Sequence, residues 1–287
     1  MGKAPKFLIP DGYNLESRNQ FKEVGMELAA ILYANLLQRR LPGAEYTIWF
    51  SSDPGTPDIS DEELSDYAGV IWPGCNLTIY NTEDQRVQRH IDLCRRVYDA
   101  GIPQFGSCWA IQLANWVAGG MVEPHPKGRE MGIGTKIRLT EAGKKHPMYE
   151  GKPEVYSHFV SHDDHVTRLA DGAILLASND WSLVHSCDVR FLNGSFWGLQ
   201  HHPEYNLHEL ACLIRARVDR LIKFGMFKDH DDMLQYVDKL EKVFADPSLR
   251  YIRWQLKIDD DVVNPDIFEL EFANWIKHMI LPRIQGT

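Results

Sequence analysis

Short apolar runs alternate with amphipathic stretches through the first half of the chain. Residues 85–100 show the helical pattern clearly, because Val87, Ile91, Cys94 and Tyr98 recur on one side. The same spacing rules predict strands at 7–9, 46–50, 68–72 and 102–105, and helices at 21–37, 85–100 and 110–117. This alternation predicts a mostly parallel sheet with helices on both faces.

The pattern changes from about residue 131, where short β-like runs replace the helical ones. These runs lie at 134–139, 155–159, 166–169, 173–178, 184–188 and 195–200. They predict added antiparallel strands before the chain rejoins the main sheet near Phe196. A closing helix is predicted over 207–224.

The pattern after residue 225 is helical again. Apolar residues recur at helical spacing over 231–244 and 249–258, and Asn264-Pro265 is a typical helix start with Asn as the N-cap. We therefore predict a main domain over 1–225 and a helical C-terminal extension over 226–287. The extension could dock a partner, mediate self-association or cap the domain.

Composition and charge exclude several classes of protein. The chain has 287 residues with 44% hydrophobic and 25% charged residues, which is ordinary for a globular protein, and its formal net charge is −9. That excess of acid argues against a nucleic-acid or anionic-membrane partner. The five cysteines form no CxxC pair, which favours a reducing compartment, and we expect a cytoplasmic protein. No run of about eighteen apolar residues indicates a membrane helix, and the first residues resemble a strand rather than a signal peptide.

One cysteine has the surroundings of a nucleophile. A predicted strand ends at Phe105, a tight turn follows at Gly106-Ser107, and a helix begins directly after Cys108. Such a strand–turn–helix elbow raises its central side chain above the sheet edge. The N-terminus of the helix stabilises negative charge and hence a thiolate. The alternative is that Cys108 is one more inert, buried cysteine.

A second element supplies the groups that a nucleophilic cysteine requires. His202, Pro203 and Glu204 follow a predicted apolar strand, so a base and a carboxylate stand two positions apart. A cysteine nucleophile needs a base, and the base needs an orienting partner. Cys108, His202 and Glu204 can provide these three roles.

At this point the chain resembles the class I glutamine amidotransferases, the triad type found in GMP synthetase. Four sequence blocks of that family occur here in the family's order. They are Gly-x-Cys-x-Gly-x-Gln at 106–112, Gly-Arg-Glu-x-Gly at 128–132, Ser-His-x-Asp-x-Val at 161–166 and Gly-x-Gln-x-His-Pro-Glu at 198–204. Ala110 replaces the second elbow glycine, and His201 stands where the family often has an aromatic residue. The resemblance implies a flavodoxin-like, doubly wound α/β fold.

The resemblance also implies a mechanism and roles for individual residues. Cys108 would attack a γ-glutamyl amide, His202 would transfer the proton, Glu204 would orient His202, and water would hydrolyse the thioester. Backbone N–H groups of Gly74 and Trp109 would form the oxyanion hole. Four residues would contact the substrate, three of them at its glutamyl portion and the fourth, Trp72, at its amine end. They are Gln112, Ser161, His162 and Trp72.

Three alternatives to this interpretation were considered. A zinc site could use the cluster of His201, His202, Glu204, His208 and Cys212, or that of residues 162–165, but neither has the HExxH spacing. Another cysteine enzyme or chaperone on the same scaffold would lack the Gly-x-Gln-x-His-Pro-Glu block. A binding or regulatory homologue would have lost the cysteine or the histidine. We therefore expect no metal and no cofactor.

Two fates of the released amine remain open. The chain has no GxxxxGK[ST] motif for ATP, so it is either a glutaminase subunit of a separate synthetase or a stand-alone γ-glutamyl amide hydrolase. The absence of a fused synthetase favours the second. Trp72 at the amine end would then favour apolar or aromatic amines. The substrate is expected to be a small molecule, and homo-oligomerisation is left open.

Overall fold

Two sheets run through residues 4–286, which are the residues that the computed structural model describes. The strands are β1 (Lys6–Asp11), β2 (Glu45–Phe50), β3 (Tyr67–Trp72), β4 (Gln104–Ser107), β5 (Met121–Pro124), β6 (Glu130–Leu139), β7 (Val155–His162), β8 (Asp164–Arg168), β9 (Ile174–Ser178), β10 (Ser186–Phe191) and β11 (Gly194–Leu199). The large sheet has the order β2-β1-β3-β4-β11-β10-β9-β6-β7, and β5 pairs with β8.

The large sheet combines a parallel half with an antiparallel half. Strands β2, β1, β3, β4 and β11 are mutually parallel, whereas β10, β9, β6 and β7 continue the sheet antiparallel. Phe196 on β11 pairs with Gln104 on β4, which is where the chain rejoins the parallel half. This arrangement confirms the predicted α/β fold with added antiparallel strands.

Helices cover the sheet and continue to residue 285. They are α1 (Leu15–Glu23), α2 (Ala29–Arg40), α3 (Asp61–Ser65), α4 (Gln85–Asp99), α5 (Trp109–Val117), α6 (Leu207–Ala216), α7 (Val218–Lys223), α8 (His230–Ala245), α9 (Arg250–Leu256), α10 (Asp260–Val263), α11 (Pro265–Phe268), α12 (Leu270–Trp275) and α13 (Leu281–Gln285). Short 3₁₀ turns lie at Gly143–Lys145 and Pro147–Tyr149, and a π-helical segment at Ile276–Ile280.

Two of the predicted helices are broken. The helix predicted over 21–37 is two helices, because Gly25 adopts φ +80° between α1 and α2, a conformation that glycine takes at little cost. The closing helix predicted over 207–224 breaks at Arg217, whose φ of −119° ends α6 before α7 begins. Both breaks leave the apolar spacing intact, so the pattern alone did not reveal them.

The C-terminal helices share a core with the large sheet. Phe7 and Phe105 point from β1 and β4 to the face that carries Phe272 and Trp275. Gly69 on β3 permits this approach, since a Cβ there would lie 2.8 Å from the Trp275 ring. The division of the chain at residue 225 stays a prediction. Between residues 4 and 286, no helix is both long enough and apolar enough to cross a lipid bilayer.

Candidate active site

Cys108 lies between β4 and α5 in a strained backbone conformation. Its φ is 58°, in the left-handed region that residues other than glycine rarely adopt. The Cys108 N–H donates to Leu199 O at 2.7 Å, which fixes the turn against β11. Gly106 has no room for a side chain, because a Cβ there would lie 2.5 Å from that of Ala110. The cysteine side chain is thereby held at the edge of the sheet and at the N-terminus of a helix.

His202 and Glu204 meet Cys108 at this edge. The backbone N–H of His202 donates to Phe159 O at 2.9 Å, and Nδ1 of the His202 ring donates to Glu204 Oε1 at 2.7 Å. Ser107 Oγ donates to the same carboxylate oxygen at 3.1 Å. The ring of Tyr205 stacks on the imidazole at 4.1 Å between centroids. The imidazole is therefore held on its Nδ1 side and on one face.

The electrostatics of this group favour a charged imidazole. Burial alone would lower the pKa of His202, but the charge of Glu204 and the neighbouring Cys108 thiol raise it to about 10. Its Nε2 is buried and has no hydrogen-bond partner within residues 4–286. Nε2 of His202 can therefore hold a proton next to the sulfur of Cys108. A cation at this place stabilises a thiolate.

Gly74 and Trp109 both border the sulfur, where an oxyanion hole was predicted. A Cβ at Gly74 would lie 3.0 Å from His202 Cε1 and 3.6 Å from Cys108 Sγ. Trp109 is the first residue of α5, and N–H groups in the first turn of a helix have no partner within it. Both residues line the cavity that contains Cys108. Their role as oxyanion donors stays a prediction.

The cavity above Cys108 has a volume of about 450 Å³. Gln112, Ser161 and His162 line it, and their contact with a substrate stays a prediction. Gln112 Nε2 donates to Asp164 O at 3.0 Å, and the Cys108 thiol donates to Ser161 O at 3.4 Å. Both ring nitrogens of His162 are engaged, one by the same Asp164 carbonyl at 2.9 Å and the other by a Glu130 carboxylate oxygen at 2.8 Å. These contacts fix the wall opposite Gly74.

The placement of Trp72 in the substrate pocket is wrong. Its side chain is 1% exposed and is absent from the described residues that line the cavity. It stacks on Phe196 and donates from Nε1 to Gln104 Oε1 at 2.9 Å. The reason is its position on β3, where the side chain points into the core beneath α4 and α5. The cavity begins two residues later, at Gly74.

His201 belongs to a buried network and does not face the sulfur. It lies between His158 and His185, which stack on it at 4.2 and 5.2 Å, and we call these three rings the histidine stack. His201 Nε2 lies 3.2 Å from Glu271 Oε1, and Glu271 Oε2 lies 2.8 Å from Lys152 Nζ. The side chains of Lys152 and Glu271 are fully buried. The network joins the segment that carries His202 to α12.

Among residues 4–286, two groups of side chains have the donor types of a metal site. In each group the donor atoms lie within 4.8 Å of one another; the groups are His158, His201 and Glu271, and His208, Cys212 and Glu241. In the first group, protein contacts occupy the donors: both nitrogens of His158 contact backbone groups, and Lys152 pairs with Glu271. In the second, Glu241 contacts both His208 and Arg215. Hydrogen bonds within the protein therefore account for these clusters.

Several cavity residues were not identified from the sequence. Tyr13, Tyr80, Tyr205, Arg217 and Arg220 line the cavity together with Cys108. Tyr205 follows the His-Pro-Glu block directly, so its proximity to His202 was a signal that could have been used. The others lie far along the chain from the four blocks, and no local pattern distinguishes them.

Comparison with known proteins identifies the family of this chain. The model of the family "Glutamine amidotransferase class-I" matches residues 33–216. The crystal structure of a glutamine amidotransferase from Thermotoga maritima superposes with a TM-score of 0.62 at 16% identity, covering 92% of this chain and 100% of that one. At that identity the superposition shows the fold alone.

Two curated relatives differ in how much of their length is matched. A gamma-glutamyl-L-1-hydroxyisopropylamide hydrolase from Pseudomonas sp. is 28% identical over 96% of this chain and 94% of its own length. A glutamine-hydrolyzing GMP synthase from Clostridium novyi is 27% identical over 60% of this chain but only 31% of its own length. The chain thus matches nearly all of the first relative and under a third of the second.

Proposed function

The chain belongs to the class-I glutamine amidotransferase family, and on that basis we propose that it is a stand-alone, cysteine-dependent hydrolase of γ-glutamyl amides. The observation that carries the stand-alone reading is the match to the hydroxyisopropylamide hydrolase over nearly the whole of both chains. The match to the GMP synthase, in contrast, covers only 31% of the length of that enzyme.

The proposed mechanism assigns one step to each polar group around Cys108. The Cys108 thiolate attacks the γ-carbonyl carbon, and the negative charge on the carbonyl oxygen is met by the N–H groups of Gly74 and Trp109. The C–N bond then breaks, and the leaving nitrogen takes a proton from His202. Water next gives a proton to His202 and attacks the γ-glutamyl thioester. Glutamate leaves, and the Cys108 thiolate and the protonated His202 are restored.

Three features of the site support this sequence of steps. Glu204 lies 2.7 Å from Nδ1 of His202, so the opposite nitrogen is the one that faces the sulfur. The raised pKa of His202, about 10, matches a group that holds a proton until the leaving amine takes it. The strained φ of Cys108 keeps the sulfur clear of the strand.

The size of the cavity supports a substrate larger than glutamine. Its volume of about 450 Å³ lies in the range of pockets that bind drug-sized ligands, roughly 300–1,000 Å³. Such a space leaves room for a substituent on the leaving nitrogen. A small-molecule γ-glutamyl amide is therefore the proposed substrate. The alternative is that the chain releases ammonia from glutamine and passes it to a separate synthetase.

The test is a substrate assay with the purified protein alone. We expect release of glutamate from γ-glutamyl isopropylamide at a higher kcat/KM than from glutamine. Hydroxylamine should intercept the thioester and give γ-glutamyl hydroxamate. Cys108→Ala should form no product, and Cys212→Ala, which changes a buried cysteine of α6 outside the cavity, should behave as the wild type.

Two results would contradict the proposal. Folded wild-type protein that hydrolyses neither amide would reject the activity. Protein that accepts only glutamine, and only after a synthetase is added, would replace the stand-alone hydrolase by a glutaminase subunit.

A further inference from the structure

A second cavity, with a volume of about 280 Å³, borders the triad at Glu204. Among residues 4–286, Glu204 lines this cavity, whereas Cys108 and His202 do not. In the cavity above the sulfur the reverse holds, and Tyr205 borders both cavities. We call the second one the rear cavity. It reaches the carboxylate of the triad but not its nucleophile.

Helices α8, α10 and α11 supply the apolar walls of the rear cavity. Val243 and Phe244 come from the end of α8, Val262 and Val263 from α10, and Phe268 from α11. Phe244 is 46% exposed, so the cavity opens to solvent beside the end of α8. These walls suit the apolar part of a small ligand.

Glu204 has one oxygen atom to offer such a ligand. Its Oε1 accepts from His202 at 2.7 Å and from Ser107 at 3.1 Å. Its Oε2 is buried and has no hydrogen-bond partner in the described chain, and the residue is only 4% exposed. A buried carboxylate oxygen without a donor is costly. A ligand that brings a donor to Oε2 would therefore be stabilised there.

The other charged groups of the rear cavity are already paired. Glu269 lines it, and Arg39 and Arg40 each approach one of the Glu269 carboxylate oxygens to 2.8 Å. The acceptor left over is Oε2 of Glu204, and hydrogen bonds from a cationic donor to a carboxylate are stronger than neutral ones. The matching ligand has an apolar body and one cationic N–H group.

From these contacts we infer that the rear cavity binds a small primary alkylamine as its ammonium ion, with an N–H donating to Glu204 Oε2. The volume lies just below the roughly 300–1,000 Å³ of pockets for drug-sized ligands, so an amine with a short alkyl chain fits. The reaction proposed above releases an amine, and in this respect the inference rests on the proposed function. A product of the enzyme can then bind beside its own triad.

Binding in the rear cavity should inhibit without competing with the substrate. A second cation at Glu204 weakens the attraction that stabilises the imidazolium of His202. A less stable imidazolium leaves less thiolate at Cys108. We expect kcat to fall about tenfold at saturating amine, as a loss of one pKa unit at His202 would give. KM should change little, because the amine does not occupy the cavity above Cys108.

The probe is n-butylammonium, with two controls at matched ionic strength. n-Butanol has the same chain without the charge, and tetramethylammonium has the charge without an N–H donor. Calorimetry on the wild type measures binding in the absence of substrate, and initial rates with γ-glutamyl isopropylamide measure inhibition. We expect n-butylammonium to bind at least about tenfold more tightly than either control.

Two variants of the rear cavity and one matched control test the location of the site. Val263→Phe fills the cavity, and Phe244→Ala removes part of its wall. Leu234→Ala changes a residue of the same helix as Phe244 that is 52% exposed and lies outside the cavity. Both cavity variants should weaken binding and inhibition about tenfold while keeping the kcat measured without amine. Leu234→Ala should match the wild type.

Folding of each variant is verified by circular dichroism and melting temperature. Phe244→Ala changes an exposed side chain, so it tests the site even where Val263→Phe does not fold. Competitive inhibition that persists in folded cavity variants would assign the amine to the cavity above Cys108 and overturn the inference. Calorimetry without binding to the wild type would also overturn it, because water or the nearby Tyr33 hydroxyl would then satisfy Oε2.

The outcomes distinguish the rear cavity from the proposed function. Either of the two overturning results, in protein that hydrolyses γ-glutamyl isopropylamide, leaves the hydrolase intact. Folded protein that hydrolyses no amide rejects the proposed function. In that protein, calorimetric binding of n-butylammonium that is weakened in Phe244→Ala and unchanged in Leu234→Ala would still support the amine site.

Discussion

Replacing Glu204 by Gln tests the electrostatic basis of the site with little change of shape. The carboxylate oxygen lies 2.7 Å from His202 Nδ1 and 3.1 Å from Ser107 Oγ. The amide oxygen of Gln can accept both hydrogen bonds. Glu204→Gln therefore removes the negative charge and leaves the acceptor.

The size of the effect follows from the pKa of His202. Burial lowers that pKa, and the charge of Glu204 is the largest cause that raises it, from 6.5 to about 10. At about 1.4 kcal/mol per pH unit, this rise corresponds to about 5 kcal/mol in favour of the imidazolium. Without the carboxylate, burial is opposed mainly by the Cys108 thiol, and the pKa of His202 should fall back toward 6.5. The imidazole would then be neutral at pH 7 and would no longer stabilise a thiolate.

Two assays measure this loss. We expect kcat/KM for a γ-glutamyl amide to fall by about 10³–10⁴-fold, which is the range seen when the orienting carboxylate of a triad is removed. The second assay is the alkylation profile of Cys108, which is the time course of its reaction with iodoacetamide at pH 7. We expect a slower reaction in the variant than in the wild type, because a neutral His202 no longer stabilises a thiolate.

Glu209→Gln is the matched control for this prediction. Glu209 is a buried carboxylate on the next helix, where burial raises its pKa and the Glu27 N–H donates to it at 3.2 Å. We expect nearly unchanged activity from this variant. The electrostatic reasoning would be refuted if Glu204→Gln kept more than about a tenth of the wild-type kcat/KM and the same alkylation profile.

Three further predictions address the packing around the site. Gly74→Ala places a methyl group 3.0 Å from His202 and 3.1 Å from Cys108 Cβ, so kcat should fall about 100-fold at unchanged melting temperature, and normal kinetics would contradict the close approach. His201→Phe should lower the melting temperature, whereas His202→Phe should abolish turnover; a greater kcat loss at His201 would reverse the assignment. Burial lowers the pKa of His185 in the histidine stack to about 4, so the unfolded chain binds more protons between that value and 6.5. Urea denaturation should show the free energy of unfolding decreasing as the pH falls across this window, and a flat profile would contradict it.

The fold and the centre of the site could be predicted from the sequence, because both depend on the order in which strands and helices follow one another along the chain. Strands β3, β4 and β11 are adjacent and parallel, so the segments after their carboxyl ends meet at one edge. That rule brings Gly74, Cys108 and His202 together once the strands are recognised. Local motifs then identify the individual side chains.

The orientation of Trp72 was not accessible in the same way. β3 is a central strand with apolar side chains on both faces, so its hydrophobic pattern does not indicate which way each side chain points. A tryptophan near the end of such a strand can lie below the edge or above it. The hydrogen bond to Gln104 on the neighbouring strand holds it below.

Contacts between distant parts of the chain also left no local signal. Lys152 and Glu271 are 119 residues apart and pair in the interior, yet each resembles an ordinary surface charge in its own segment. Arg217 stands in an amphipathic pattern that continues across the break in the helix. Only the folded structure shows that Glu271 neutralises Lys152, whereas no carboxylate between residues 4 and 286 forms an ion pair with Arg217.

The pairing of Lys152 with Glu271 has a consequence for how the protein is made. During synthesis, β1, β3 and β4 leave the ribosome long before α12, which supplies Glu271 and the aromatic side chains that cover these strands. Until then, Lys152 has no counter-ion and one face of the sheet is open to water. Lys152 should therefore stay hydrated until α12 arrives, because burying this charge without its partner would cost several kcal/mol, about 3–5 in measured cases. Closure of this face of the sheet should be a late step of folding that requires the last helices.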